Sequence, residues 1–422
     1  MTRRIVAAVA FLLVLGAAGD LPGQPRTSDD LIRYHQARLA RRTDVRGYAG
    51  LGQAYVLKAR ETGDPTYYDL AHTALTRCLD LGADGATAAR AATELAAVHM
   101  ARHQFREALA TGQRALGFSP ADPLPYGPIG DAYVELGEYD SAAAAYEKMK
   151  TLSGPFHPHA RLSMLKFLKG DPAGAIAEMR RAVETAIEGN QPRENVAWAQ
   201  FKLGATLFQT GDLSAAAAAY QDSLATFPGY HRALAGLAGV RAAERRYAEA
   251  IEWYRKAIGV VPLPEYAAGL GDVYAKTGRG DEARKQYDLV EYIGRLNALN
   301  QNIYNRELAL FYLDHDLKLG QALDLARKEL EIRRDLYTSD VLAWALYKNG
   351  RARDALAPMT EALRLGTKDA RLLFHAGMIH QALGDHEAAR RALREALRIN
   401  PHFHLLQAEV AERALKELGE RP

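Results

Sequence analysis

The amino-acid sequence predicts an all-α solenoid, in which one short helix pair is repeated along the chain and stacked on its neighbours. Marker residues recur at a fixed spacing, since Pro262 lies 34 residues after Pro228 and Tyr254 lies 34 residues after Tyr220. A Gly-Asp dipeptide at 211–212 divides the unit that ends at Pro228 into two halves. Each half carries small and large apolar residues at helical spacing, which predicts two helices that pack on each other.

The stretch LGATLFQTGDLSAAAAAYQDSLATFP, residues 203–228, shows how each element arises. Gly204 in the first helix is small, so the two helices of one unit can approach closely. Tyr220 is large and is expected to fill the space between neighbouring units. Gly211 ends the first helix and Asp212 caps the second. The closing proline ends the second helix because proline cannot continue it.

The same small, aromatic and turn residues recur at matching positions elsewhere in the chain. The matching residues are Leu95, Ala96, Ala108, Ala115 and Pro120; Gly130, Tyr133, Gly137, Ala142 and Tyr146; Leu270, Gly271, Tyr274, Gly278, Ala283 and Tyr287; and Gly377, Gly384, Ala389, Ala396 and Pro401. These residues resemble the tetratricopeptide repeat, a helix–turn–helix unit of 34 residues. The resemblance implies a right-handed superhelical solenoid whose first helices line a concave groove.

About ten copies are expected between residues 45 and 403, by the repeat spacing. Three copies depart from the pattern. The first, from Val45, has a longer turn; the fourth has Ser163 where glycine or alanine is expected; the eighth, near 302–335, has an extra residue. These departures leave the local register open and do not change the predicted fold.

Four segments are expected along the chain. Residues 1–19 resemble a secretory signal peptide, because two arginines precede an apolar run and small residues. Residues 20–44 are expected to form a linker and an N-terminal capping helix, residues 45–403 the repeats, and residues 404–422 a C-terminal capping helix. The alternative to a signal peptide is an uncleaved anchor, but about 14 apolar residues fall short of the roughly 20 that span a bilayer. Export to the periplasm or the cell exterior is therefore expected.

The composition narrows the class of partner. The 54 basic and 51 acidic residues are interspersed along 422 residues and give a formal charge of +3, so nucleic acid is not an expected partner. Cys78 is the single cysteine, so no intrachain disulfide can form, and it occupies a small-residue position of the repeat. Apart from the N-terminal segment, no stretch is apolar enough to cross a membrane. The oligomeric state is left open.

The family resemblance places a set of mostly aromatic side chains on the groove face of the first helices. Exposed rings in a concavity commonly anchor apolar side chains of a partner. The alternative is that several of these residues pack between adjacent first helices. The candidate partner-binding residues are Met164, Phe167, Leu168, Trp198, Phe201, Phe208, Trp344, Tyr347, Phe374 and Met378.

A known binding mode of the family, the carboxylate clamp, uses Lys, Arg and Asn at fixed positions of the first helices. The corresponding positions here hold Ala49, Gln53, Thr93, Ala97, Gly127 and Asp131, which does not match. Asn297, Asn300, Asn302 and Asn305 cluster where a helix is expected to end, and capping is the favoured interpretation.

A search for catalytic and metal-binding patterns favours no enzyme. His99 and His103 share a helix face, but no glutamate follows His99, and the repeat explains His99 as a packing residue. The His157–His159 and His402–His404 pairs lack acidic companions, and Asp314–Asp316 lacks further oxygen ligands. No nucleophile or nucleotide-binding motif is present. No catalytic residue, metal site or cofactor is predicted.

The sequence therefore predicts a non-enzymatic scaffold that binds protein or peptide partners through the groove, in cell-envelope assembly. Rigid repeats would hold several pockets at fixed spacing, which lowers the ordering cost of binding. The alternative is a periplasmic protein that binds a small ligand or a metal in the superhelical cavity with its histidines.

Overall fold

The computed structural model describes residues 27–153, 158–299 and 305–419. Within these ranges the chain forms 22 α-helices and no strand, which confirms the prediction of an all-α repeat fold. The proposed signal peptide, Asn300, Asn302 and His157 lie outside the described residues. The helices are α1 Ser28–Arg41, α2 Val45–Thr62, α3 Thr66–Asp80, α4 Gly85–Ala101, α5 Phe105–Phe118, α6 Tyr126–Glu135, α7 Tyr139–Ser153, α8 His159–Leu168, α9 Pro172–Glu188, α10 Arg193–Gln209, α11 Leu213–Thr226, α12 His231–Ala243, α13 Tyr247–Val260, α14 Pro264–Lys276, α15 Gly280–Leu299, α16 Asn305–Asp314, α17 Leu319–Ile332, α18 Leu336–Lys348, α19 Leu356–Leu363, α20 Ala370–Ala382, α21 His386–Ile399 and α22 Gln407–Glu417.

The chain divides into two compact units. Of the described residues, the first unit comprises those up to Leu162 together with Arg181–Val196, and the second comprises Ser163–Arg180 and those from Ala197 onward. In most pairs an even-numbered helix packs against the odd-numbered helix that follows it, as α4 packs on α5 and α20 on α21, and several even-numbered helices also contact the next one, as α2 contacts α4 and α18 contacts α20. We call the even-numbered helices α2 to α20 the A helices and the odd-numbered helices α3 to α21 the B helices. The arrangement is a two-layered stack of helix pairs, as a repeat array requires.

The turn between the helices of a pair has the conformation that the sequence predicts. Gly211 has a φ of +86°, a left-handed conformation that favours glycine. Asp212 then caps α11 by accepting a hydrogen bond from the Ala215 amide at 2.9 Å. Gly384 and Asp385 repeat this arrangement before α21. The Gly-Asp signal is therefore confirmed as a helix stop followed by a helix start.

Small residues on the A helices face aromatic rings on the B helices. A β-carbon at Gly204 would lie 2.7 Å from the ring of Tyr220, so only glycine leaves room for that tyrosine. Gly130 and Gly271 face Tyr146 and Tyr287 in the same way. The spacing of small and aromatic residues in the sequence thus reports contacts inside a repeat.

The first unit holds a buried ion pair on the A-helix face. Arg161 donates through Nε and Nη2 to the carboxylate of Asp131 at 2.8–3.1 Å, and the Tyr146 hydroxyl donates to the same carboxylate at 2.8 Å. Asp131 is fully buried, so it is committed to this network. Asp131 stands at one of the positions that the carboxylate clamp would use, and its side chain is bonded inside the protein instead.

In the second unit, the segment that leads into α22 returns to helices far earlier in the sequence. The buried Asn400 donates from Nδ2 to the Phe208 carbonyl at 2.8 Å, and Gln407 donates from Nε2 to Asp314 at 2.6 Å. Lys276 pairs with Glu409. These contacts fix the segment before α22, and the first turn of α22 itself, beside the ends of α10, α14 and α16. Helices α1 and α22 lie at the two ends of the described chain, and their role as caps stays a prediction.

Candidate functional site

The A-helix face of the second unit contains a cavity of about 120 Å³. Its walls come from the four consecutive A helices α10, α12, α14 and α16, from B-helix side chains behind them, and from His404 before α22. Six aromatic rings contribute to the lining, and we call this set the pocket cluster. Its members are Phe201, Phe208, Tyr220, Tyr254, Tyr266 and Phe311.

The cavity exists because the A helices in its centre carry small side chains. Ala235, Gly236 and Gly239 face the cavity from α12, and Ala268 and Gly269 face it from α14. A large residue at any of these positions would fill the space that the surrounding rings enclose. The sequence of α12, HRALAGLAGVRAA, therefore sets the width of the pocket.

Two tyrosines from B helices form the deepest part of the pocket cluster. Tyr254 is 1% exposed, and Tyr220 is also buried. Burial raises the pKa of both phenols, and for Tyr254 the neighbouring Asp272 carboxylate raises it further. Both hydroxyls are therefore protonated at any physiological pH and can donate hydrogen bonds.

A hydrogen-bonded group around Asp272 lies on the α14–α16 side of the cavity. Asp272 accepts at Oδ1 from the Tyr287 hydroxyl at 3.0 Å and from His315 Nε2 at 2.7 Å. His315 Nδ1 lies 2.7 Å from the Phe311 carbonyl oxygen. A carboxylate and a carbonyl can only accept hydrogen bonds, so the His315 ring lies between two acceptors and against the Asp272 carboxylate.

A buried amine lies beside the cavity on the α10 side. Lys202 is 8% exposed, and its ammonium nitrogen lies 5.6 Å from the centre of the Trp198 ring. Burial, followed by the nearby Arg232 charge, lowers the pKa of Lys202 to about 7. This lysine therefore changes its charge near neutral pH.

Two of the ten side chains that the sequence proposes for partner binding line the cavity. Phe201 is half-buried, and its ring centre lies 5.9 Å from that of Tyr220. Phe208 is 5% exposed, and its backbone carbonyl is the acceptor for Asn400. Both residues lie on α10 and face the small residues of α12, so these two positions combine an aromatic ring with open space.

Four of the remaining candidates pack near α8 and at the start of α10. Phe167, Leu168 and Trp198 are buried, whereas Met164 is half-buried. The Phe167 carbonyl accepts a long hydrogen bond from Thr367 at 3.4 Å. None of the four lines the cavity that the described residues form around Phe201.

The last four candidates lie on α18 and α20, and three of them are part of a stack of rings. Trp344 lies 4.9 Å from Tyr347 and 4.1 Å from His375 between ring centres, with nearly parallel planes. Phe374 contacts Trp344 at 5.6 Å and Phe403 at 5.4 Å. We call Trp344, Tyr347, Phe374, His375 and Phe403 the stacked cluster. Met378 is half-buried on α20, one turn from Phe374.

The repeat pattern in the sequence does not predict most of the cavity wall. It predicts that Tyr254 fills space between repeats, and it does not mark Tyr266, Phe311 or His315. The available signal was the run of small residues in α12, since glycine and alanine opposite a ring leave space. His404 had no such signal, because it reaches the cavity from about 200 residues beyond Phe201.

His99 and Cys78 have packing roles. His99 is buried and lies 2.9 Å from the Gln104 side-chain oxygen, and Cys78 is fully buried. Burial raises the pKa of the Cys78 thiol, which disfavours the reactive thiolate. Among the described residues, no group of three or more His, Cys, Asp or Glu side chains is arranged to hold a metal ion. None of the described helices combines the length and apolarity needed to cross a membrane.

Comparison with known proteins places three segments of the chain in one family. Residues 126–153, 201–268 and 370–403 each match the tetratricopeptide repeat. No curated protein sequence gives a significant match. The segment 201–268 runs from Phe201 through Ala268 and so contains most of the pocket wall.

Solved structures of helical-repeat proteins are similar over different lengths. MamA is 25% identical over 40% of this chain and 96% of its own, with a TM-score of 0.32. Yeast Tom70 is 14% identical over 92% of both chains, with a TM-score of 0.41. PilW, titled a widely conserved type IV pilus biogenesis factor, is 20% identical over 50% of this chain and 93% of its own, with a TM-score of 0.39.

Proposed function

We propose that this tetratricopeptide repeat protein is a non-enzymatic scaffold that binds a protein or peptide partner on the A-helix face. We propose further that it acts outside the cytoplasm, in assembly of the cell envelope. The observation that carries this proposal is the cavity beside Phe201, which four A helices hold open. Tetratricopeptide repeat proteins bind protein partners. The envelope location is supported by the signal-like pattern of residues 1–19.

The cavity has the properties of an anchor site for one side chain. Its volume of about 120 Å³ approaches the roughly 150 Å³ of a cavity that takes a benzene ring, so it suits a single side chain. The walls belong to packed helices, so a partner would not have to order them on binding. A ring or aliphatic group that enters is removed from water on several sides, as in the central pockets of protein interfaces.

Affinity capture with a filled pocket tests the proposal. Ala235→Trp on α12 would place a large ring in the cavity, whereas Ala218→Trp puts the same ring on the exposed side of α11 and serves as the matched control. Immobilised wild-type protein and both variants are exposed to an extract of the cell envelope, after circular dichroism shows equal helix content.

We expect a protein that wild type and Ala218→Trp retain and Ala235→Trp loses. Equal retention by all three proteins would show that partners bind elsewhere on the chain. Retention only from a cytoplasmic extract would overturn the envelope location.

A further inference from the structure

A short segment between α21 and α22 lies between two cavities of the second unit. We call this segment, residues 400–406, the strap. Beside the cavity near Phe201 lies a second cavity of about 100 Å³, with walls from the ends of α10, α12 and α14 on one side and from the strap and α22 on the other. Phe208, Gly239 and His404 line both cavities. His404 is therefore the strap residue at the wall that the two cavities share.

His404 also holds the start of α22 in place. Its ring nitrogen Nδ1 accepts hydrogen bonds from the amides of Leu406 at 3.1 Å and Gln407 at 3.2 Å. Its carbonyl oxygen accepts from the Ala408 amide at 3.2 Å. A backbone amide can only donate, so Nδ1 carries no proton in this arrangement. The neutral ring thus has the capping role that Asn and Asp side chains have at other helix starts.

A protonated ring cannot keep this role. A proton on Nδ1 removes the acceptor for two amides, and it places a positive charge at the end of α22 where the helix dipole is also positive. His404 is 3% exposed, so the charge would in addition be removed from water. Proton binding and the cap therefore exclude each other. Histidine ordinarily titrates near pH 6.5, so mild acid is enough to make them compete.

Charged groups face His404 from both cavities. They are the carboxylates of Glu265, Asp272, Glu307, Glu409 and Glu412, the basic side chains of Arg232, Arg245 and Lys276, and the imidazoles of His315 and His402. The carboxylates favour a positive ring, but they cannot restore the lone pair on Nδ1, so they favour a ring that has left the cap. His402 is the second titratable group of the strap, and burial, followed by the Arg245 charge, lowers its pKa. Any test must therefore separate His404 from His402.

We infer that protonation of His404 releases the start of α22 and opens the wall between the two cavities. The other end of the strap does not titrate, because Asn400 is bonded to the Phe208 carbonyl and the Phe403 ring is buried. The release is thus confined to the end that leads into α22. It makes the spaces of about 120 and 100 Å³ continuous. As regulation of the partner site the inference rests on the proposed function, but the release itself is measured without a partner.

Hydrogen exchange of the full chain at pH 7.5 and pH 5.5 tests the release. Rates are corrected for the intrinsic effect of pH, and residues 404–417 are compared with α20 in the same sample. Because only the released arrangement binds the proton, its population should rise roughly tenfold for each pH unit below about 6.5. We expect protection of residues 404–417 to fall roughly tenfold at pH 5.5, while α20 keeps its protection.

Three variants assign the effect. His404→Asn keeps an acceptor for the α22 amides and cannot titrate, so residues 404–417 should be equally protected at both pH values. His404→Ala lacks the acceptor and should lose protection already at pH 7.5. His402→Asn removes the exposed neighbour and should behave as wild type. Protection that is independent of pH in wild type, that still falls in acid in His404→Asn, or that becomes independent of pH in His402→Asn would overturn the inference.

A thiol in the second cavity tests whether the wall opens. Ala242 is 3% exposed and lines that cavity, so Ala242→Cys is combined with Cys78→Ala to leave one reporter thiol. Its reaction rate with dithiodipyridine is compared, at each pH, with the rate in the same protein carrying His404→Asn, which cancels the thiol's own response to pH. We expect a ratio near one at pH 7.5 and roughly ten at pH 5.5. A ratio near one at both pH values would overturn the opening of the wall.

This inference and the proposed function fail separately. If exchange of residues 404–417 is independent of pH and Ala235→Trp still abolishes capture of a protein, the release is wrong and the groove function stands. If exchange depends on His404 as expected and capture is insensitive to Ala235→Trp, the release stands and the proposed partner site is wrong.

Discussion

In the second unit, the pocket cluster around Phe201 and Phe208 faces a cavity, whereas the members of the stacked cluster around Trp344 and Phe374 face one another. Both clusters put aromatic residues at corresponding positions of the A helices. The difference comes from the neighbouring A helix. The A helix next to Phe201 is α12, which carries Ala235 and Gly239. The A helix next to Trp344 is α20, which carries Phe374 and His375. An aromatic residue on an A helix is therefore available to a partner only where the next A helix is built from small residues.

The largest effect should come from truncation in the stacked cluster. Trp344 is 3% exposed and stacks on His375, so Trp344→Ala should cost about 3–5 kcal/mol of unfolding free energy. Phe201→Ala should cost less than about 2 kcal/mol, because the half-buried ring already faces open space. Urea unfolding followed by circular dichroism measures both. Equal costs would erase the distinction between the clusters.

The next effect concerns the segment that closes the pocket cluster. Asn400→Ala removes the bond to the buried Phe208 carbonyl and should cost about 1–3 kcal/mol. Hydrogen exchange should then become faster in residues 404–417, where α22 lies. Arg398→Ala is the control, since this exposed side chain pairs with Glu395 on its own helix. Unchanged exchange in Asn400→Ala would mean that the segment is held by other contacts.

The pocket side should also respond to pH through Lys202. Its folded-state pKa of about 7 lies below the ordinary value of 10.5, so between these values the unfolded chain binds a proton that the folded chain does not. Unfolding free energy therefore rises with pH in this window, by up to about 2 kcal/mol between pH 7 and 9. In Lys202→Met that rise should be smaller by this amount, as urea unfolding at several pH values can show. If Lys202→Met kept the full wild-type rise of unfolding free energy with pH, the assignment of this rise to Lys202 would be wrong.

The smallest effect is expected at Tyr254. Tyr254→Phe removes a buried hydroxyl that has no partner among the described residues, so stability should stay within about 0.5 kcal/mol of wild type or increase. Thermal unfolding of the variant measures this. A loss of more than about 1 kcal/mol would mean that the hydroxyl is bonded inside the protein.

The repeat fold could be predicted from the sequence because its signals are local. Gly211 and Asp212 act within one turn, and Gly204 contacts Tyr220 within one repeat. The pocket could be predicted only in part, since Phe201 and Phe208 belong to the repeat pattern. Its other determinants act between repeats: the small residues of α12 decide whether space is left, and His404 arrives through a contact that no local pattern encodes.

The most direct test of the account is site-specific photocrosslinking at one position of each cluster. Phe201 and Tyr347 are both half-buried, so p-benzoylphenylalanine at either position presents the same reactive group from the two environments. After irradiation in an envelope extract, we expect a crosslinked partner from position 201, absent when Ala235→Trp is added, and none from position 347. A crosslink from position 347 but not from 201 would contradict the account, because it would place the partner on the stacked cluster.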